Sequence, residues 1–256
     1  MIFVASGTQD GRGLVECLLA KDYKIMASVV TNYGKNLLPK HENLIINDHK
    51  LDEIAMQECL KEHDIKVFVD ATHPYAVNVS QTAMQVCKKL NIPYIRYERE
   101  VTPLPDYDKL HIVKTYEEAS ELAMQLGQNI FLTTGSNRLD LFAGDGKKYN
   151  RHIVARVLPA IASLEICERC GILPRDIVAL QGPFSEKLNM DLYEKYKADV
   201  VVMKNSGTLG GTETKLTAAI KMNLEIVLID RPRIDYLNMI HDYDSVVDFV
   251  KKYEGD

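Results

Sequence analysis

No apolar run in the 256-residue sequence approaches the roughly 18 to 20 residues of a membrane-spanning helix, and the opening M-I-F-V-A-S-G-T lacks a basic stretch followed by an apolar one. These absences predict a cytosolic chain with no membrane partner. Basic charge is not in surplus either. Thirty-one Lys and Arg stand against 36 Asp and Glu, a net charge of -5, which argues against nucleic acid as a partner and confines any polyanionic ligand to a local basic site. Cysteine is sparse and odd in number. The five, Cys17, Cys59, Cys87, Cys167 and Cys170, lack the spacing of a disulfide scaffold and are expected as reduced thiols. Cys167 and Cys170 form one C-x-x-C, but it closes an amphipathic stretch over residues 162–171 and has no second pair, so no metal site is expected.

What is present is an ordinary globular composition, 46% apolar and 26% charged, in a length that suits one large domain or two of roughly 120 residues. Short apolar, β-branched runs at 2–5, 25–30, 44–46, 67–70, 94–96, 110–113, 130–133, 153–157, 177–180, 200–203 and 226–229 predict buried strands. Helical periodicity spans 51–63, 77–90, 116–126, 186–196 and 212–222. The alternation is that of parallel α/β sheets covered on both faces. It breaks once, at 98–109, where two prolines and no periodic apolar face mark a boundary. Residues 1–100 are thus expected as an N-terminal nucleotide-binding α/β domain and 101–256 as a C-terminal α/β domain, with a last helix at 245–253 that could pack on either. Thr115 and Glu118 form the capping box of the first helix after the break.

The first strand ends in S-G-T-Q-D-G-R-G, Ser6 to Gly13, and runs into a helix. Glycines here let backbone amides approach a phosphate at a helix N-terminus, and Gly7, Thr8, Gly11 and Arg12 are the candidates. The spacing G-x-x-x-G-x-G equally fits a plain strand-to-helix turn. The second strand continues as S-V-V-T-N-Y-G-K without the acid that receives the ribose hydroxyls of NAD. Thr31, Asn32 and Lys35 instead suit a 2′-phosphate, so a dinucleotide bound here is NADPH; the alternative is a polar turn. The fourth strand delivers D-A-T-H-P-Y-A, Asp70 to Ala76, to the edge where open α/β sheets bind ligands. Asp70, Thr72 and His73 offer an acid, a hydroxyl and an imidazole there, or merely tie down the turn, with Pro74 at the first helical position. In the second half, residues 203–215, M-K-N-S-G-T-L-G-G-T-E-T-K, precede a helix and offer Lys204, Ser206, Gly207, Thr212 and Lys215 as an anion site. Their Gly-Lys order is not that of an NTPase loop. Ser136 and Arg138 in T-T-G-S-N-R, with Q-G-P-F-S and D-R-P, are either turns or the wall of one cleft.

In this order the segments G-T-Q-D-G-R, D-A-T-H-P-Y-A, P-Y-I-R-Y-E-R, F-L-T-T-G-S, A-R-V-L-P, Q-G-P-F-S-E and K-N-S-G with G-T-E-T-K resemble the precorrin-6A reductase family, precorrin and cobalt-precorrin branches together, over nearly the whole chain. Ser6 stands where the family commonly has glycine. The resemblance implies two Rossmann-like α/β domains, each a mainly parallel sheet flanked by helices, with a cleft between them. It further implies NADPH-dependent reduction of one carbon-carbon double bond of a polycarboxylate tetrapyrrole-derived macrocycle, giving the 6B form in cobalamin synthesis, with neighbouring corrin-pathway enzymes as candidate partners. Basic strand ends suit the acetate and propionate groups of such a ring, and Arg96, Arg99, Arg138, Arg156, Lys204 and Lys215 are the cations on offer. His73 is the candidate proton donor.

Two other readings use the same residues. Residues 6–13 together with Tyr193 and Lys197 in a Y-x-x-x-K pattern resemble a short-chain dehydrogenase, although the catalytic serine and an N-N-A-G-like segment are missing. A non-catalytic small-molecule sensor would bind without turnover. Macrocycle-dependent oxidation of NADPH separates the three.

Overall fold

The computed structural model describes residues 1–30, 32–98, 103–207 and 211–253, with the backbone alone for 32 and 33. Two compact units divide the chain: unit 1 is Met1–Glu100 with Pro232–Asp256, and unit 2 is Val101–Arg231.

Unit 1 holds β1 (Ile2–Ser6), α1 (Gln9–Leu19), β2 (Ile25–Ser28), α2 (Asn32–Asn36), β3 (Leu44–Asn47), α3 (Glu53–Glu62), β4 (Val67–Ala71), α4 (Val77–Leu90) and β5 (Tyr94–Tyr97). In unit 2 follow β6 (Leu110–Val113), α5 (Tyr116–Leu126), β7 (Asn129–Leu132), α6 (Leu139–Lys148), β8 (His152–Val157), α7 (Ile161–Arg169), β9 (Ile177–Ala179), α8 (Glu186–Lys195), β10 (Val200–Lys204), α9 (Thr212–Lys221) and β11 (Glu225–Ile229). The chain then returns to unit 1 with β12 (Met239–Ile240) and α10 (Tyr243–Lys251). The sequence assigns this last stretch, apart from its helix, to the second domain. Strand pairing decides otherwise: β5 has an open edge, and Arg96 and Glu98 donate their amides to the Asn238 and Ile240 carbonyls at 2.8 and 3.0 Å. Helix α10 then buries Val246, Val247 and Val250 among Ile2, Val4, Leu14 and Leu18. Residues 232–256 therefore belong with unit 1.

Both six-stranded sheets are parallel throughout, in the orders β12-β5-β4-β1-β2-β3 and β6-β11-β10-β7-β8-β9. Fully buried runs such as Ile2–Ser6 and Val67–Ala71 fit strands covered on both faces. The order has a consequence for function. In unit 1 the chain leaves β1 towards β2 on one side and comes back to β4 on the other; in unit 2 it does the same at β7 and β10. The helices diverge at such a switch point and leave a crevice at the carboxyl ends of the two strands. The Thr115 cap of α5 forms as the sequence predicts, its Oγ1 accepting from the Glu118 amide at 3.1 Å; the Glu118 carboxylate reaches back one residue further, to the Lys114 amide at 2.8 Å.

Candidate functional site

At the unit 1 switch point, β1 ends in Ser6, buried with an unpartnered Oγ, and Gly7, exposed with nothing within 4 Å of where a Cβ would stand. Thr8 caps α1. Its Oγ1 accepts from the Gly11 amide at 2.9 Å and donates to the Ala71 carbonyl at 3.2 Å, fastening this turn to the end of β4. Gly11 is glycine for packing: a Cβ there would lie 2.7 Å from Ser6 Oγ and 3.1 Å from the Ala71 carbonyl. Gly13 meets the Tyr243 hydroxyl of α10 in the same way, at 2.6 Å. The glycines thus divide their work, Gly7 leaving backbone open at the crevice while Gly11 and Gly13 let α1 sit close to its neighbours. Arg12 is half-buried on the first turn of α1 and pairs with no acid among the described residues.

Beyond β2 the expected polar turn is the short helix α2. Thr31 and the Asn32 side chain lie outside the described residues, as do Arg99 and residues 208–210 of the second glycine-rich loop. Lys35 is already paired, its Nζ 2.6 Å from Asp48 Oδ2, and that hydrogen bond is the leading reason the Asp48 carboxyl is held below its ordinary range.

Asp70 and Arg96 are engaged with one another rather than left open at the strand end. Both are fully buried, and their mutual contact, Arg96 Nη1 to Asp70 Oδ1 at 2.8 Å, is one strand of a closed network. Asp70 also accepts from the Thr72 amide and hydroxyl at 3.0 and 2.7 Å and from the Tyr94 hydroxyl at 2.7 Å. Arg96 spends its other donors on Thr72 Oγ1 at 3.0 Å and on Glu98 Oε2 at 3.1 and 2.8 Å, and lies 5.1 Å from the Tyr236 ring centroid. Burial alone would raise the Asp70 carboxyl, but Arg96 and the hydroxyls of Ser80, Thr72 and Tyr94 outweigh it and hold it low. In this arrangement both Asp70 oxygens and all three guanidinium nitrogens of Arg96 are already engaged within the protein. Asp70, Thr72 and Arg96 are instead the frame that fixes the strand end carrying His73. Pro74 also departs from expectation: residues 73–76 form a turn, the Ala76 amide donating to the His73 carbonyl at 2.8 Å, and α4 starts only at Val77. His73 Nδ1 accepts from the Tyr75 amide at 3.3 Å, which leaves the proton of the neutral ring on Nε2.

At the unit 2 switch point several expected ligand residues build the loop. Thr212 Oγ1 accepts from the Ser206 amide at 3.1 Å and donates to the Lys204 carbonyl at 3.2 Å, closing β10 onto α9. Gly207 has φ +77°, a left-handed conformation that favours glycine, and a Cβ there would stand 2.8 Å from Arg231 Nη2. Ser136 Oγ lies 3.4 Å from Ser163 Oγ, and Arg138 is exposed and paired with Glu117. The cations that do gather are Arg156 at the end of β8, Lys204 and Lys215. Arg156 is buried, donates to Asn189 Oδ1 at 2.7 Å, and lies 4.3 Å from the Phe184 ring centroid. Burial lowers its guanidinium, and Tyr193 partly opposes this. Tyr193 is fully buried with an unpartnered hydroxyl, and Thr134, just past β7, has a buried and unpartnered Oγ1. Burial, with Arg156 and Lys204 nearby, pushes the Lys215 ammonium down to about 7. Sequence reading missed Asn189, which carries no motif and is recruited by α8; Phe184 and Thr134 lie in the Q-G-P-F-S and T-T-G-S-N-R segments but were not singled out there. Tyr193 lies in the unit 2 core, unlike the exposed base of a Y-x-x-x-K site. The thiols of Cys167 and Cys170 are both raised, burial being the main cause, the opposite of the lowered thiol of a reactive C-x-x-C.

Residues 1–251 match the family described as Precorrin-6x reductase CbiJ/CobK. The chain is 36% identical over 248 residues, 96% of each sequence, to a protein of Priestia megaterium named cobalt-precorrin-6A reductase. A protein of the same name from Methanocaldococcus jannaschii is 34% identical, with 90% of this chain and 89% of that one matched. A precorrin-6A reductase of Rhodococcus erythropolis is 29% identical over 90% of this chain and 89% of its own. Among solved structures, one titled CobK precorrin-6A reductase superposes with a TM-score of 0.77 at 23% identity, covering 99% of this chain and 97% of that one, which supports the two-sheet fold. With two parallel sheets, two switch points and a match along almost its entire length, the chain belongs to the precorrin-6x reductase CbiJ/CobK family and is a reductase of corrin synthesis.

Proposed function

We propose that the protein uses NADPH to reduce one carbon-carbon double bond of a precorrin-6A-type macrocycle to the 6B form. The observation that carries the cofactor assignment is the crevice beside Gly7, open at the ligand side while Gly11 brings α1 hard against β1 and β4. Such a loop fits a pyrophosphate at a helix N-terminus, with Arg12 as its cation and residues 31–35 towards the 2′-phosphate. When bound, the nicotinamide supplies the hydride; alignment of donor and acceptor carbons and exclusion of water fall to the protein. Lys204, Lys215 and Arg156 meet the ring carboxylates, on a loop shaped by Ser206, Gly207 and Thr212; Ser136 and Arg138 belong to the neighbouring strand end. His73, held by the Asp70–Thr72–Arg96 frame, presents Nε2–H as the proton source for the second carbon.

The test is anaerobic oxidation of NADPH followed by its absorbance, with metal-free and cobalt-bearing precorrin-6A in parallel and NADH as the control. Macrocycle-dependent oxidation of NADPH well above that of NADH is expected. Oxidation independent of macrocycle, or equal affinity for both nucleotides, refutes the assignment.

A further inference from the structure

Arg156 and Lys215 bring two positive charges to the place where the unit 2 sheet switches direction, and among the described residues neither is met by a negative charge. Arg156 and Lys215 are each 6% exposed, and no carboxylate pairs with either among the described residues. Among the described residues, the elements packed on α9 offer neither of these two cations a counter-charge. From β10 comes Lys204 and from α8 Tyr193, while Glu186 of α8 is taken by Lys221 and Lys187 by Asp191. Glu225 stands at the opposite end of β11, bonded to His111, and Asp230, past its near end, accepts from Asn205 Nδ2 at 3.2 Å. The buried Tyr193 hydroxyl, close to Arg156, also lacks a partner among the described residues. Burying cations without acids, and a hydroxyl without an acceptor, is unfavourable in the isolated protein. An oxyanion supplies what all of them lack.

We propose that Arg156, Lys215 and the Tyr193 hydroxyl form a pocket for one oxyanion, and that Lys215 takes up a proton when the anion binds. The proposal deepens the reading of unit 2 as the carboxylate-binding edge and rests on it for the source of the anion, since a carboxylate of the ring and a phosphate of the cofactor share the chemistry. Near pH 8 about nine-tenths of an amine titrating near 7 is neutral in the free protein. An anion beside it restores the charged form, so binding draws close to one proton from solution, and affinity falls by up to about tenfold per pH unit above 7.

Isothermal titration of the full chain at pH 8, in two buffers of different ionisation enthalpy, measures that proton directly. The probes are uroporphyrin III, a carboxylated tetrapyrrole, and NADP+. Uptake of roughly 0.9 proton is expected with the probe that fills the pocket, lost in Lys215→Met and in the permanently charged Lys215→Arg. Lys215→Met should weaken that probe about 10- to 100-fold near pH 6 and, by removing an unmatched buried amine, raise the melting temperature by roughly 3 to 8 °C. Uptake with uroporphyrin supports both the pocket and the carboxylate reading. Uptake with NADP+ alone keeps the pocket and overturns that reading. No uptake with either probe in the wild type overturns the pocket, even where NADPH oxidation is intact. A destabilised Lys215→Met with unchanged affinity marks the lysine as structural and does the same.

Discussion

Removing both members of the Asp70–Arg96 pair should cost clearly less than the two single removals added together. Neither side chain has any exposed surface, so the survivor of a single substitution keeps its charge in a low-dielectric site. Arg96→Met leaves two carboxylates, Asp70 fully buried and Glu98 only 14% exposed, without the guanidinium that makes four hydrogen bonds to this cluster. A loss on the order of 4 to 5 kcal/mol is expected. Asp70→Asn leaves Arg96 with Glu98 and gives an amide where two hydroxyls and an amide nitrogen donate, a loss of about 2 to 3 kcal/mol. The double variant should fall short of the sum by about 2 kcal/mol or more, because neither buried charge is then left alone. Urea unfolding followed by far-UV circular dichroism gives all four values. Acid adds a second reading. The Asp70 carboxyl is held below its ordinary value of 3.8, so its stabilisation is complete above that pH and disappears as the pH falls through the lower folded-state value. That part of the acid sensitivity should be absent from Asp70→Asn. Additivity within about 0.5 kcal/mol, or single losses below about 1 kcal/mol, would show that the network does not carry the energy assigned to it.

Gly11→Ala places a methyl 2.7 Å from Ser6 Oγ and 3.1 Å from a backbone carbonyl, and should cost about 1 to 3 kcal/mol while weakening NADPH; unchanged melting and affinity would refute the packing role. Asp48→Asn releases Lys35 and should tighten NADPH roughly two- to fivefold at low salt without changing NADH, whereas an equal change in both would separate Lys35 from the 2′-phosphate. His73→Ala should lower kcat by about 10²-fold, keep NADPH affinity, and remove a limb of the pH-rate profile; near-normal turnover with the same profile assigns the proton to water.

Much of the architecture is written locally. The runs 2–5, 67–70 and 200–203 are apolar on both faces, and only a strand covered twice can bury them, while Thr115 and Glu118 mark a helix start through bonds spanning four residues. The glycine loop and the D-A-T-H-P segment were legible as strand ends for the same reason. Their roles were not, because role depends on partners distant in sequence. Asp70 looks like a ligand until Tyr94 and Arg96, 24 and 26 residues on, consume its oxygens. Lys35 looks free until β3 delivers Asp48, and Gly13 looks like part of a phosphate loop until α10 returns with Tyr243. The return itself is a tertiary decision: β12 is two residues long and has no periodicity to read, yet the open edge of β5 captures it. Sequence by itself determined most of the strands and the longer amphipathic helices, since these follow from the spacing of apolar side chains. Only the folded chain decided which polar groups are spent on one another, as at Asp70 and Arg96, and which are left unmatched, as at Lys215, because burial and charge pairing are properties of neighbours in space.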